Sequence, residues 1–282
     1  MINDIFIFPR AVTLLCGLVL LSLAACGSAP ARQPIAAELA KKADHEAHRA
    51  LREGDLMRAH ELFRQSMLMQ QALDDLQASA MAAINLSSVS HKLGDSVAAL
   101  GLLEEILVVD KAVQISSDLR IAAEFRKGVI LADTGKAEAA ESALKIAAQE
   151  CGKQCSYASG INNLGARLAL TKGDYAAALA TATGVISAGA EIEELANAQR
   201  IAAAAAFALE QHTAALAHYQ AALVLDKELA LSPRIAEDLK GLAKTLEKLG
   251  RKHEAEIFAR RAEAVHTAAS MLRGNAANKS LH

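Results

Sequence analysis

Residues 127–147, KGVILADTGKAEAAESALKIA, contain the pattern that decides the fold. Helix-forming residues stand on both sides of Gly135, and glycine readily adopts the positive φ angle that ends a helix. Ala140 follows this glycine by five residues, and its small side chain lets a second helix approach the first closely. Leu144, four residues further on, is large enough to fill the space beside it. The stretch therefore predicts two antiparallel helices joined by a short turn.

The same pattern recurs along the chain at intervals of 37 to 41 residues. Five of the six turn positions are glycine, and each turn is followed five residues later by alanine. The turns are Gly54, Gly94, Gly135, Gly173, Glu210 and Gly250, and the alanines are Ala59, Ala99, Ala140, Ala178, Ala215 and Ala255. A single unit cannot bury its apolar face alone, so several units must stack. An irregular alanine-rich helical bundle is the alternative, but a bundle does not require this regular spacing.

These residues resemble the tetratricopeptide repeat (TPR), a family of helix-turn-helix units. Gly128 precedes Gly135 by seven residues, as in the family pattern, and HTAALAHYQAALVLD (212–226) matches its second helix with Ala215 and Tyr219. The resemblance implies an all-α fold, a right-handed TPR-like α-solenoid of about six repeats over residues 35–272. The interval is longer than the usual 34 residues, which lengthens the second helix of each unit or the loop after it. The first helices are expected at 35–52, 77–92, 117–133, 156–171, 192–209 and 233–248, and the second helices at 56–73, 96–113, 137–150, 175–188, 212–229 and 252–272.

Composition agrees with an all-helical protein and excludes one class of partner. Hydrophobic residues make up 52% of the chain but aromatic residues only 3%, so much of the apolar content is alanine, the best helix former. Pro233 is the single proline after residue 34. A net charge of −2 provides no broad basic surface for nucleic acid.

The N-terminal residues resemble a lipoprotein export signal. An uncharged run from Ala11 to Ala25 follows Arg10, and Leu23-Ala24-Ala25-Cys26 resembles the lipobox of bacterial lipoproteins. The resemblance implies that residues 1–25 are a signal peptide and that Cys26 carries acyl chains such as palmitate, with 26–34 as a tether. Because Gly27, rather than aspartate, follows the cysteine, the resemblance implies anchoring in the outer membrane, facing the periplasm.

Two further cysteines, Cys151 and Cys155, remain in the exported chain and predict a disulfide in an oxidising compartment. A redox-active role for this pair is an open alternative. A metal site formed by His45, His48 and His60 is another, although HEAH does not have the H-E-x-x-H spacing of zinc proteases. Neither a nucleophile motif nor a phosphate-binding loop is present, so the sequence predicts a protein that is not an enzyme and has no cofactor.

The TPR resemblance places binding on the concave face made by the first helices. Six polar side chains are expected on or near this peptide-binding groove: Asn85, Arg126, Asn162, Asn163, Arg200 and Lys240. Asparagine and arginine there can hydrogen-bond the backbone of an extended peptide. The family's carboxylate clamp is not matched, since Asp44, His48 and Ala122 occupy its other positions. A C-terminal carboxylate is therefore not the predicted ligand.

The sequence as a whole predicts a membrane-anchored periplasmic scaffold or adaptor that binds other envelope proteins. Its layout resembles pilotin-type lipoproteins of type IV pili, the helical-repeat lipoprotein of the β-barrel assembly machine and the adaptor of cell-wall hydrolases. Two alternatives to this scaffold remain open. One is the metal- or redox-active protein, and the other is a purely structural spacer. Residues 273–282 are expected to be a flexible tail.

Overall fold

The computed structural model describes residues 35–113, 115–152 and 155–279, and these form twelve α-helices and no β-strand. The helices are α1 (Ile35–Arg52), α2 (Leu56–Ala72), α3 (Leu76–Lys92), α4 (Ser96–Val113), α5 (Ser117–Asp133), α6 (Ala137–Cys151), α7 (Ala158–Lys172), α8 (Tyr175–Ser187), α9 (Ile192–Ala208), α10 (His212–Glu228), α11 (Ser232–Lys248) and α12 (Lys252–Lys279). Odd-numbered helices are called A helices and even-numbered ones B helices. The expected signal peptide, Cys26 and the tether lie outside the described residues. No helix in the described part of the chain is long and apolar enough to cross a membrane.

Each repeat turns at the position that the sequence predicts. Five turn glycines have positive φ angles between 76° and 95°: Gly54, Gly94, Gly135, Gly173 and Gly250. At the turn without glycine, Glu210 adopts φ +61°, a conformation that is costly for a residue with a Cβ atom. The aspartate after several turn glycines then caps the next helix: a carboxylate oxygen of Asp55 accepts a hydrogen bond from the Arg58 amide at 3.0 Å.

The six alanines after the turns are buried against the preceding A helix, as predicted. Close approach is also visible at Gly241 in α11, where a Cβ atom would lie 2.4 Å from the ring of Tyr219 in α10. Much of the core is alanine, and larger side chains such as Phe63, Leu103 and Ile130 fill the remaining space. Small residues thus set the helix spacing in this protein.

Successive helices pack on one another throughout the described chain, and the A helices also pack on neighbouring A helices. These additional contacts join α3 to α5, α5 to α7, α7 to α9 and α9 to α11. The B helices in the described chain have no comparable set of contacts with one another. The A helices therefore form the closer, inner layer of the solenoid.

The predicted helix bounds agree with the structure to within two residues, except at the end of α12. This helix runs to Lys279, seven residues beyond the expected end at 272. Gly274 lies inside the helix, because glycine weakens a helix by only about 1 kcal/mol relative to alanine. Residues 273–279 are therefore helical here, and residues 280–282 lie outside the described part.

Candidate interaction surface on the A helices

Arg126 in α5 is a predicted groove residue with a buried hydrogen-bond donor that has no acceptor. Its side chain is largely enclosed, and its Nε atom is buried without a hydrogen-bond acceptor. Burial lowers the pKa of the guanidinium, while the negative charges of Glu193 and Glu194 oppose this shift. A buried donor without an acceptor has a free-energy cost that a bound acceptor would remove. Arg126 therefore has a hydrogen-bond donor that the described protein does not use.

Asn85 holds the same position in α3 as Arg126 holds in α5, nine residues before the turn glycine of its repeat. Its side chain is partly exposed. Since α3 and α5 are neighbouring A helices in contact, the two side chains share one register of the inner layer. These two predicted groove residues therefore occupy equivalent positions on neighbouring A helices.

Two charged side chains outside the predicted groove set, Lys92 and Glu193, lie in the electrostatic surroundings of Arg126. Lys92 stands at the end of α3, and its electrostatic neighbours are Arg126, Glu193 in α9 and Arg234 in α11. Lys92 is exposed, yet the surrounding protein still partly desolvates it and lowers the pKa of its ammonium group. Sequence reasoning missed this set because its members come from four separate repeats.

Asn162 and Asn163 are neighbours in α7 with different surroundings. Asn162 is exposed. Asn163 is only 5% exposed, and its amide donates to the backbone oxygen of Glu194 at 2.8 Å and to its carboxylate at 2.7 Å. Asn163 therefore joins α7 to α9 and uses its donors inside the protein.

Arg200 in α9 requires a correction of the groove prediction. It is 7% exposed, and its guanidinium donates to Asp226 of α10 and, at 2.9 Å, to Asp238 of α11. Both carboxylates are buried. The side chain is therefore engaged by two internal acids and is not open to a peptide. Asp226 and Asp238 occupy positions on their helices that face the core. An aspartate at a position where the repeat pattern expects an apolar residue is the sequence signal that could have indicated this cluster.

Lys240, the last predicted groove residue, is exposed on α11. It borders a shallow cleft of about 240 Å³ between α11 and α12, together with Pro233, Glu237 and His266. This cleft lies beside the final B helix rather than along the row of A helices. Neither Asn85 nor Arg126 lines this cleft.

A chain of hydrogen bonds follows one edge of the inner layer and was not foreseen. Asp133 in α5 binds the Nε2 atom of His91 in α3 at 2.9 Å and accepts from Arg167 of α7 at 2.7 Å. The Nδ1 atom of His91 lies 2.9 Å from the hydroxyl of Ser96. These residues join three successive repeats, so the edge holds the row of A helices in register.

The cysteines and histidines differ in how they are placed. Cys151 and Cys155 form a disulfide, with Cα atoms 5.3 Å apart. His48 lies 3.6 Å from Asp44 and packs edge-on against Phe63. Within residues 35–113, 115–152 and 155–279, no three side chains of His, Cys, Asp or Glu come together as a metal site, so nothing in that part favours the histidine alternative.

Comparison with protein-family models gives no match, and comparison with curated protein sequences gives none either. Solved structures do match. The Rap protein complexed with competence and sporulation factor superposes with a TM-score of 0.61 at 16% identity, covering 82% of this chain and 67% of Rap. The apo form of RapI gives 0.60 at 14% identity, with the same coverage.

BtubC (BKLC) from P. vanneervenii is also similar, with a TM-score of 0.57 at 15% identity over 79% of this chain and 92% of BtubC. At such identities the likeness concerns the fold. The described helices agree with this fold: they number twelve and form six pairs. The turn residues have positive φ angles, and the alanines that follow them are buried. The chain therefore has an all-α, TPR-like solenoid fold of about six repeats.

Proposed function

We propose that this protein is a lipid-anchored scaffold of the outer membrane that faces the periplasm and binds other envelope proteins through its A helices. Its role is to assist assembly of an envelope complex of the pilus, secretion, barrel-assembly or cell-wall type. The anchor rests on the lipobox-like residues Leu23–Cys26. Binding of protein rests on the solenoid, because a row of stacked helices offers one extended surface.

The observation that carries the binding proposal is the unsatisfied guanidinium of Arg126 on the inner layer. Its buried Nε atom has no acceptor in the described protein, and Asn85 lies in the same register on the neighbouring A helix. Together they offer donors to the backbone or side chains of an extended segment. The fold neighbour Rap is described in complex with competence and sporulation factor, which supports ligand binding by a solenoid of this shape.

Site-specific photo-cross-linking in cells that express the full chain tests the binding surface. We expect a photoreactive residue at Asn85, on an A helix, to form adducts with an envelope protein. The same residue at Val97, which is 84% exposed on the B helix α4, is the matched control and should give none. Adducts at Val97 with none at Asn85 would place binding on the outer layer and overturn the proposal.

Replacing Cys26 with alanine tests the anchor. We expect the variant to lose incorporation of labelled palmitate and to leave the outer-membrane fraction, because covalent acylation supplies the membrane affinity. Ser28→Ala, two residues away, is the control and should keep the label. A Cys26→Ala protein that is still labelled and still fractionates with the outer membrane would contradict this assignment.

A further inference from the structure

We propose that the cleft between α11 and α12 is a second binding surface, which receives a helix of a partner protein in the place that a seventh A helix would take. The partner helix carries a carboxylate in one of its first two turns, and this carboxylate pairs with Lys240. The inference goes beyond the proposed function, because it concerns the end of the solenoid and involves neither Asn85 nor Arg126. Its basis is a position that recurs ten residues before the turn of each repeat.

The side chain at this position binds the next A helix in the fourth and fifth repeats. In the fourth repeat it is Asn163 of α7, whose amide donates to the carboxylate of Glu194 in α9 at 2.7 Å. In the fifth repeat it is Arg200 of α9, whose Nε atom donates to Asp238 of α11 at 2.9 Å. Both times the incoming A helix supplies an acid from its first two turns, since Glu194 is the third residue of α9 and Asp238 the seventh of α11.

Lys240 holds the same position in the sixth repeat, ten residues before Gly250. No A helix follows this repeat in the described chain, and Lys240 is exposed beside the cleft of about 240 Å³ between α11 and α12. His266 of α12, which also lines the cleft, corresponds to Asp226 of α10, since each lies sixteen residues after its repeat turn. The cleft therefore lies where, one repeat earlier, α11 packs against α9 and α10.

The charges around this cleft leave Lys240 available to a ligand. Lys240 makes no ion pair or hydrogen bond within the described residues. Glu237, the acid that lines the cleft, already accepts a hydrogen bond from Arg234 at 3.2 Å and lies 3.8 Å from the Nε atom of Arg200. Glu263 of α12 is exposed but does not line the cleft. An ammonium group in this place is stabilised by a carboxylate, the group that the incoming helix supplies in the two preceding repeats.

A helix of another protein fits this cleft better than a second copy of the chain. In a head-to-tail pair of copies, the docking helix would be α1, which has no preceding repeat in the described chain. Glu38 of α1 occupies the position of Glu194, sixteen residues before the turn, but Lys42 occupies that of Asp238, twelve residues before it. Lys42 would approach Lys240, and this repulsion cancels the attraction of Glu38. A partner helix with an acid and no such lysine avoids the conflict.

Binding of a model helix to the full chain in detergent micelles tests this inference. The probe is a fluorescent alanine-glutamine peptide with glutamate at its third and seventh positions, which are those of Glu194 in α9 and Asp238 in α11. Fluorescence anisotropy should show tighter binding than that of the same peptide with glutamine at both positions. Lys240→Gln should weaken binding of the glutamate peptide about three- to fivefold, as expected for an ion pair near the surface. Lys244→Gln, which removes an exposed lysine of α11 outside the cleft, is the matched control and should change little.

Equal binding of the two peptides, or equal losses in Lys240→Gln and Lys244→Gln, would overturn the inference. Self-association of the chain in sedimentation experiments, abolished by Lys240→Gln, would also overturn it and assign the cleft to a second copy. The proposed function is judged separately, because adducts at Asn85 report on a different surface and do not require Lys240.

Discussion

The Nε atom of Arg200 lies 2.9 Å from the Oδ1 atom of Asp238, and this pair joins α9 of the fifth repeat to α11 of the sixth. The same guanidinium also donates to Asp226 of α10. One cation therefore holds three helices, and it faces two carboxylates that are almost completely buried. The Oδ2 atom of Asp238 is buried without a partner. Such a cluster is sensitive to the loss of either charge.

Removal of the arginine should therefore destabilise the C-terminal repeats. Arg200→Ala leaves two buried acids without their cation, and breaking a buried ion pair in this way typically costs about 3–5 kcal/mol. Urea unfolding monitored by circular dichroism should show a much lower midpoint. Arg251→Ala removes an arginine from an exposed pair with Glu254 and should leave the midpoint nearly unchanged. Similar midpoints for the two variants would show that the cluster does not hold these repeats together.

Stability should also depend on pH through Asp238. Burial raises the pKa of this carboxyl from 3.8 to about 7, against the opposing effect of Arg200. Between these values the folded protein keeps a proton that the unfolded chain has released. The free energy of unfolding should therefore fall as pH rises from about 4 to 7, by at most about 1.4 kcal/mol per pH unit.

Asp238→Asn is the variant that isolates this titration. The other ionisable groups around Asp238 are Arg200, Asp226, Glu237 and Tyr219, and they remain in the variant. Asparagine resembles the protonated acid, so urea midpoints measured from pH 5 to 8 should decline less steeply than in the wild type. An identical decline in both proteins would assign the pH dependence to other groups.

Two glycines within helices should respond to alanine in opposite directions. At Gly241 a Cβ atom would lie 2.4 Å from the Tyr219 ring, so Gly241→Ala must displace a side chain between the fifth and sixth repeats. Overpacking of this kind typically costs about 1–3 kcal/mol. Gly184 in α8 has no atom within 4 Å of the corresponding position, so Gly184→Ala should stabilise by about 0.5–1 kcal/mol. Thermal unfolding checks both, and a stabilised Gly241→Ala would contradict the packing argument.

The sequence predicts those features that depend on residues close together in the chain. Gly135 and Ala140 are five residues apart, and one hairpin contains both the turn and the contact that they form. The disulfide is likewise local. Helix bounds follow from the same short-range signals, except in α12, where Gly274 suggests an end that the helix does not have.

The charged features depend on partners 26 to 38 residues away in the chain, and local spacing does not show which residues pair. Arg200 looks like a groove residue until Asp238, 38 residues later, is seen to bind it. Asn163 is similarly engaged by Glu194 of the next repeat. Arg126 occupies a comparable position without such a partner. Sequence therefore identifies which residues face the inner layer, and only the fold shows which of them remain open to a ligand.

The turn at Glu210 provides the last prediction, because it alone among the six repeat turns lacks glycine. Glu210 has φ +61°, and this left-handed conformation costs a residue with a Cβ atom roughly 1–2 kcal/mol. Glycine adopts it readily but loses more backbone entropy on folding. Glu210→Gly should therefore stabilise the protein by about 0.5–1 kcal/mol.

Two further variants separate the backbone effect from the loss of charge. Glu210→Ala removes the carboxylate but keeps the Cβ atom, and it should unfold at nearly the same temperature as the wild type. Gly135→Ala places a Cβ atom at φ +76° and should destabilise by about 1 kcal/mol. Calorimetry of the three variants measures these differences. If Glu210→Ala stabilises as much as Glu210→Gly, then the exposed charge, and not the backbone conformation, is what weakens this turn.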